Sequence, residues 1–181
     1  ITFMAKILLY RKTEKNFGSK WRKNMEFNVG KTVVGGDKTV VIAEAGVNHL
    51  KDLEIERKLI EKGAKAGADI MKFQTYSADK LTTRSAERFW SWQGERVTDG
   101  SQFDSYSLLE TPEYEFTSKL AEICKENSVE FMSTPFDIEA ALMLDDIGCD
   151  AYKLASGDIT NLPLIRCVAK LGKPIFLSTG A

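Results

Sequence analysis

Histidine is almost missing from this sequence, with one residue, His49, in 181. Two-histidine metal centres are therefore excluded within it. Cysteine is scarce as well. Cys124, Cys149 and Cys167 show no paired metal spacing and lie in or beside apolar segments, which suits reduced core thiols in a cytoplasm. No apolar run approaches the roughly 20 residues of a membrane span, and no signal peptide is apparent. Neither charge sign dominates. With 25 basic against 26 acidic residues, nothing draws the chain broadly to nucleic acid or to a membrane. No G-x-G-x-x-G run follows the first apolar strand, which weakens a dinucleotide fold.

What is present is a repeat. Gly67-Ala68-Asp69-Ile70-Met71-Lys72-Phe73-Gln74-Thr75 is echoed 81 residues later by Gly148-Cys149-Asp150-Ala151-Tyr152-Lys153-Leu154-Ala155-Ser156. Each copy turns at a glycine, enters a short apolar strand and places a lysine near its end. A lysine in such a strand is costly to bury unless an anion meets it. Two of them at equivalent places point to one anionic ligand held between them.

Residues 1–24 carry Arg11, Lys12, Lys15, Lys20, Arg22 and Lys23 without a hydrophobic period. They read as a disordered or foreign leader, with Met25 as a start and 25–181 as the folded part. Glu26–Val34 reads as a hairpin around Gly30, and Thr39–Ala45 as a buried strand. A helix capped by Asp52 follows, with Ile55, Leu59, Gly63 and Ala66 on one face. Strands are expected at Ile70–Thr75, Val129–Ser133, Ala151–Ala155 and Pro174–Ser178. Helices open at Thr111-Pro112, near Asp137 and near Asn161, the last two stopped by Gly148 and Gly172. Residues 77–110 read as a long irregular insert holding Trp90 and Trp92, which are read as loop packing.

Five near-continuously apolar strands alternating with four helices indicate a parallel sheet covered by helices. An open doubly wound sheet and a (β/α)8 TIM barrel both fit that pattern. The barrel also explains the repeat, because inward side chains come in layers from alternate strands. Five strands in this length scale to roughly 250 residues for eight, so the chain reads as the first five strands and four helices of a barrel.

Barrel sites lie at the C-terminal strand ends. Those ends carry Glu44, Lys72 with Gln74, Thr134, Lys153 with Ser156 and Asp158, and Ser178 with Thr179. Ammonium and hydroxyl donors together suit a small phosphate or carboxylate compound; the plainer alternative is a lysine snorkelling at a strand end. Glu44 sits in an apolar run that favours acid–base use, or else it forms a structural ion pair with one of the lysines. His49 either touches a ligand in the first strand–helix loop or caps the helix.

Five segments resemble the sialic acid synthase (N-acetylneuraminate synthase) family. They are Ile42-Ala43-Glu44-Ala45-Gly46-Val47-Asn48-His49, Lys72-Phe73-Gln74-Thr75, Ser133-Thr134-Pro135-Phe136-Asp137, Tyr152–Asn161 and Leu177-Ser178-Thr179-Gly180. They occur in order over 25–181. The resemblance implies a transferase on a TIM barrel that condenses phosphoenolpyruvate with an N-acylated amino sugar to a sialic-type acid. It implies that Lys72, Thr134, Lys153, Ser156 and Ser178 hold phosphoenolpyruvate, that Gln74 and Asp158 contact the sugar, and that Glu44, Lys72 and Lys153 serve catalysis. It further implies a divalent cation, Mn2+ or Mg2+, on histidines of later strands, a C-terminal antifreeze-like domain, and a homodimer. None of these later parts lies in this stretch, so the fragment alone is expected to be inactive. The loop Leu50-Lys51-Asp52 departs from the family, where a glycine before the aspartate is usual. The rival readings are another phosphoenolpyruvate-dependent sugar-acid synthase, a Schiff-base aldolase using Lys72 or Lys153, and a non-catalytic fragment.

Overall fold

The computed structural model describes residues 7–10, 26–48, 50–88, 100–111 and 113–180. His49, Trp90 and Trp92 lie outside them. Strands β1 (Ile7–Tyr10), β4 (Val40–Gly46), β5 (Ile70–Thr75), β6 (Glu130–Pro135), β7 (Tyr152–Leu154) and β8 (Ile175–Leu177) form one sheet in the order β1-β4-β5-β6-β7-β8. From β4 to β8 every pairing is parallel. Helices α1 (Leu53–Lys65), α4 (Tyr114–Glu126), α5 (Ile138–Ile147) and α6 (Leu162–Lys170) connect the parallel strands. This sequential parallel order is the five-stranded half of a (β/α)8 barrel.

Local chemistry places the helix ends. Asp52 caps α1 by accepting from the backbone N–H groups of Glu54 and Ile55, with Glu54 and Glu56 in the first turn and Lys62 and Lys65 in the last. Asp137 caps α5 through the Ala140 N–H at 2.9 Å, and Gly148 ends it in the left-handed region at φ 91°. Asn161 caps α6.

The sheet separates two apolar layers by strand parity. Ala45, Met71, Phe73, Phe131, Tyr152 and Leu154 face the helices, where they meet Ile60, Leu120, Ile123, Cys124 and Leu144. Ile42, Ile70, Met132 and Ala151 face the concave side. There the hairpin β2 (Phe27–Val29) and β3 (Thr32–Val34) lays Val29 and Val34 across the N-terminal end of the strands. Glu130 fastens this floor, its Oε1 accepting from the Lys31 N–H at 2.8 Å.

Three expectations change. The insert after β5 holds two short helices, α2 (Ala78–Leu81) and α3 (Gln102–Ser107), the latter closed by a reciprocal Ser101–Asp104 capping box. Helix α4 begins at Tyr114, two residues beyond Pro112, with Glu113 at its N-cap. Part of the leader is in the sheet: Ile7–Tyr10 pairs antiparallel with Val40–Ala43. The free edge of β4 presents unpaired backbone groups, and Ile-Leu-Leu-Tyr is a strand-forming run.

Candidate anion site at the strand ends

The parity that sends Ile42, Ile70, Met132 and Ala151 inward also sends Glu44, Lys72, Gln74, Thr134 and Lys153 to the concave side, one or two steps nearer the C-terminal ends. Register aligns them. Glu44 stands opposite Lys72 and Gln74 opposite Thr134, while Lys153 stands opposite Phe176.

Glu44 and Lys72 form an ion pair, each side chain less than one-fifth exposed. The ion-pair reading of Glu44 is therefore what the structure shows. Both carboxylate oxygens are buried, and no backbone or hydroxyl donor among the described residues reaches them. A register irregularity between Glu44 and Gly46 bends the strand here. Gly46 has φ 60°, and a Cβ at that position would lie 3.3 Å from Glu44 Oε1. Glycine thus gives the carboxylate its room.

Among the described residues Lys153 has no ion-paired carboxylate. Its Nζ donates to the Leu154 carbonyl at 2.6 Å, an oxygen that also accepts from the Ser178 N–H at 3.1 Å. Burial holds the Lys153 amine below the usual lysine range; the Lys72 charge adds to this and Glu44 opposes it. The single carbonyl thereby joins the lysine of β7 to the end of β8. Ser156 opens the turn after β7, where a Cβ at Gly180 would meet it at 3.9 Å. Asp158 is turned toward the cap of α6, accepting from Asn161 Nδ2 at 3.2 Å.

Sequence reasoning missed the aromatic latch beside these residues. Tyr76, immediately after β5, packs edge-on against Tyr106 of α3 and against Phe136. Its hydroxyl donates to the Tyr106 carbonyl at 3.4 Å. Residue type gave a signal, since Tyr76 follows the lysine strand directly, but the partner across the insert is a tertiary fact. In the loop after β4, Leu50 and Lys51 adopt φ 52° and 60°. This is the conformation glycine favours, and the Lys51 ammonium donates to the Ser107 carbonyl at 3.4 Å. A cavity of about 340 Å³ lies nearby between Lys80, Phe136, Asp137, Asn161 and Leu164. It includes none of the strand-end lysines. The convergent charge, rather than this hollow, marks the site.

Among the described residues no three His, Cys, Asp or Glu side chains stand together as a metal site. The described residues do not by themselves fit a metal. No helix of the described residues is long and apolar enough to cross a membrane.

Fold and site together define a barrel-type chain that gathers two lysines, a glutamate and a threonine on one concave face at the carboxyl ends of its strands. The chain belongs to the NeuB family, which residues 59–181 match. It is 41% identical over 143 residues to an N,N'-diacetyllegionaminic acid synthase of Campylobacter jejuni, covering 79% of this chain and 42% of the relative. A pseudaminic acid synthase of Helicobacter pylori is 32% identical over 140 residues, covering 77% and 41%. Among solved structures, the citrate complex of an N-acetylneuraminic acid (sialic acid) synthetase from Leptospira borgpetersenii superposes with a TM-score of 0.71 at 30% identity, covering 87% of this chain and 50% of that one. The chain spans about two-fifths of the length of the curated relatives it matches.

Proposed function

We propose that this chain carries the phosphoenolpyruvate-binding part of a synthase that joins phosphoenolpyruvate to an N-acylated amino sugar, giving a sialic-type nonulosonic acid and free phosphate. The observation that carries the reading is the placement of Lys72 and Lys153 on one concave strand-end face, in a chain of a family whose relatives are named as synthases of such acids. Two ammonium groups with Thr134, Ser156 and Ser178 suit a ligand bearing both phosphate and carboxylate.

In this reading the enol carbon of phosphoenolpyruvate attacks the open-chain aldehyde of the sugar, forming the new carbon–carbon bond. Water adds at the phosphate-bearing carbon, and the tetrahedral intermediate expels phosphate by C–O cleavage. Lys72 and Lys153 neutralise the substrate and the leaving phosphate. Glu44 orients the water or moves its proton. Gln74 and Asp158 receive the sugar. A divalent cation, Mn2+ or Mg2+, belongs to the proposal with ligands from outside this chain, as do a homodimer and a cytoplasmic setting.

The test is phosphate release from phosphoenolpyruvate by the protein with the remaining barrel strands supplied. N-acetylmannosamine, its 6-phosphate and the precursors of legionaminic and pseudaminic acids serve as acceptors. Acceptor-dependent release, lost in Lys153→Ala, is expected; no release with any acceptor overturns the reading. One observation favours a second chemistry, because burial holds Lys153 below its ordinary range and no carboxylate among the described residues is ion-paired with it. Such an amine suits a Schiff base. Borohydride with pyruvate would label it in an aldolase and leave it unlabelled in the synthase.

A further inference from the structure

We propose that Glu44 is a built-in counter-ion for Lys72, which an anionic ligand must displace before both lysines can hold it. This rests on the placement of the anion between Lys72 and Lys153 argued above. The two lysines differ in one respect that the repeat does not reveal. Lys72 faces a carboxylate directly across parallel strands and is ion-paired with it, whereas among the described residues Lys153 donates to the Leu154 carbonyl and pairs with no carboxylate. With Glu44 in place the three groups sum to a single positive charge; without it they sum to two.

Glu44 is also held weakly for a buried carboxylate. Neither oxygen accepts a hydrogen bond from backbone or hydroxyl among the described residues, so the Lys72 ammonium is its one strong partner. A carboxylate anchored by several backbone donors would be a permanent fixture; one anchored by a single ammonium is exchangeable. The bulge at Glu44–Gly46 and the left-handed Gly46 keep the side chain in that position rather than folded away from the site. An incoming phosphate or carboxylate lands on the uncompensated Lys153, then competes with Glu44 for Lys72. Displacement leaves the Glu44 carboxylate beside the ligand only when a ligand is there. The ion pair thereby makes Glu44 available for chemistry on demand and keeps the empty site from trapping inorganic anions.

Titration calorimetry of the protein with the remaining barrel strands supplied, using inorganic phosphate and phosphoenolpyruvate at low ionic strength, tests the exchange. Glu44→Gln should bind either anion roughly tenfold more tightly than the unsubstituted chain, because removing a close like charge strengthens anion binding. Lys72→Met should weaken binding, and adding Glu44→Gln to Lys72→Met should give a smaller gain than Glu44→Gln alone, because the competition for Lys72 is then gone and only the like charge is removed. Equal or weaker binding by Glu44→Gln, with an unchanged thermal midpoint, overturns the exchange and leaves the phosphoenolpyruvate reading standing. Binding by Glu44→Gln alone supports the exchange. No binding by either protein overturns both. Should Glu44→Gln fail to fold, Glu44→Ala, which also removes the charge, replaces it with the same expected direction and the same overturning result.

Discussion

Glu56 ties the stability of this molecule to pH, though none of it reaches solvent. It lies on α1 with both carboxylate oxygens buried and unpartnered among the described residues. Burial pushes its carboxyl up from 4.5 to about 8. A carboxyl raised in the folded state binds more protons folded than unfolded. Its contribution is full below the unfolded value and is lost as pH rises toward about 8. At about 1.36 kcal/mol per unit, several kcal/mol are at stake. Urea unfolding should give a lower midpoint at pH 8.5 than at pH 5.5, and Glu56→Gln should flatten that difference. Parallel pH slopes for the two proteins would contradict it. Lys153 belongs to the same scale. Its truncation to alanine removes a charged donor worth about 1.5–3 kcal/mol, so phosphoenolpyruvate affinity should fall at least tenfold by calorimetry. Because burial lowers that amine, affinity in the unsubstituted chain should also decline with rising pH before an ordinary lysine would deprotonate.

Helix α1 meets β5 at a glycine. A Cβ at Gly63 would stand 2.5 Å from Met71 Sδ, and Met71 is buried in the helix-facing layer. The missing methyl at 63 is the space the methionine fills. Gly63→Ala should destabilise by about 1–3 kcal/mol through overpacking. In a Met71→Val background the same change should be neutral or stabilising by up to about 1 kcal/mol, since alanine is the better helix former. Additive effects in thermal melts would dismiss the packing argument. At this scale much was legible. The caps at Asp52, Asp137 and Asn161 and the strand Ile70–Thr75 follow from local chemistry, the repeat put Lys72 and Lys153 on one inward face, and strand-end position brought Glu44, Gln74 and Thr134 beside them. The unread parts share a cause. Helix α3, the Tyr76–Tyr106–Phe136 latch and the asymmetry between Lys72 and Lys153 depend on contacts between segments far apart in the chain, which periodicity does not encode.

For the molecule as a whole, the sheet's edges govern behaviour in solution. Beyond β8 no strand pairs among the described residues, and Leu177 is 47% exposed on that edge. Unpaired strand edges with apolar side chains invite association. Residues 25–181 expressed alone, without β1, should self-associate or remain partly molten; a monomer with cooperative unfolding by sedimentation and calorimetry would refute this. The opposite edge has a different consequence. In a closed (β/α)8 barrel every strand has a parallel neighbour on both sides, so the edge of β4 is the seam where the last strand docks. Ile7–Tyr10 occupies that seam in the antiparallel sense. The two arrangements are rival tenants of one row of backbone groups, and any barrel completed from this sheet must begin with an eviction.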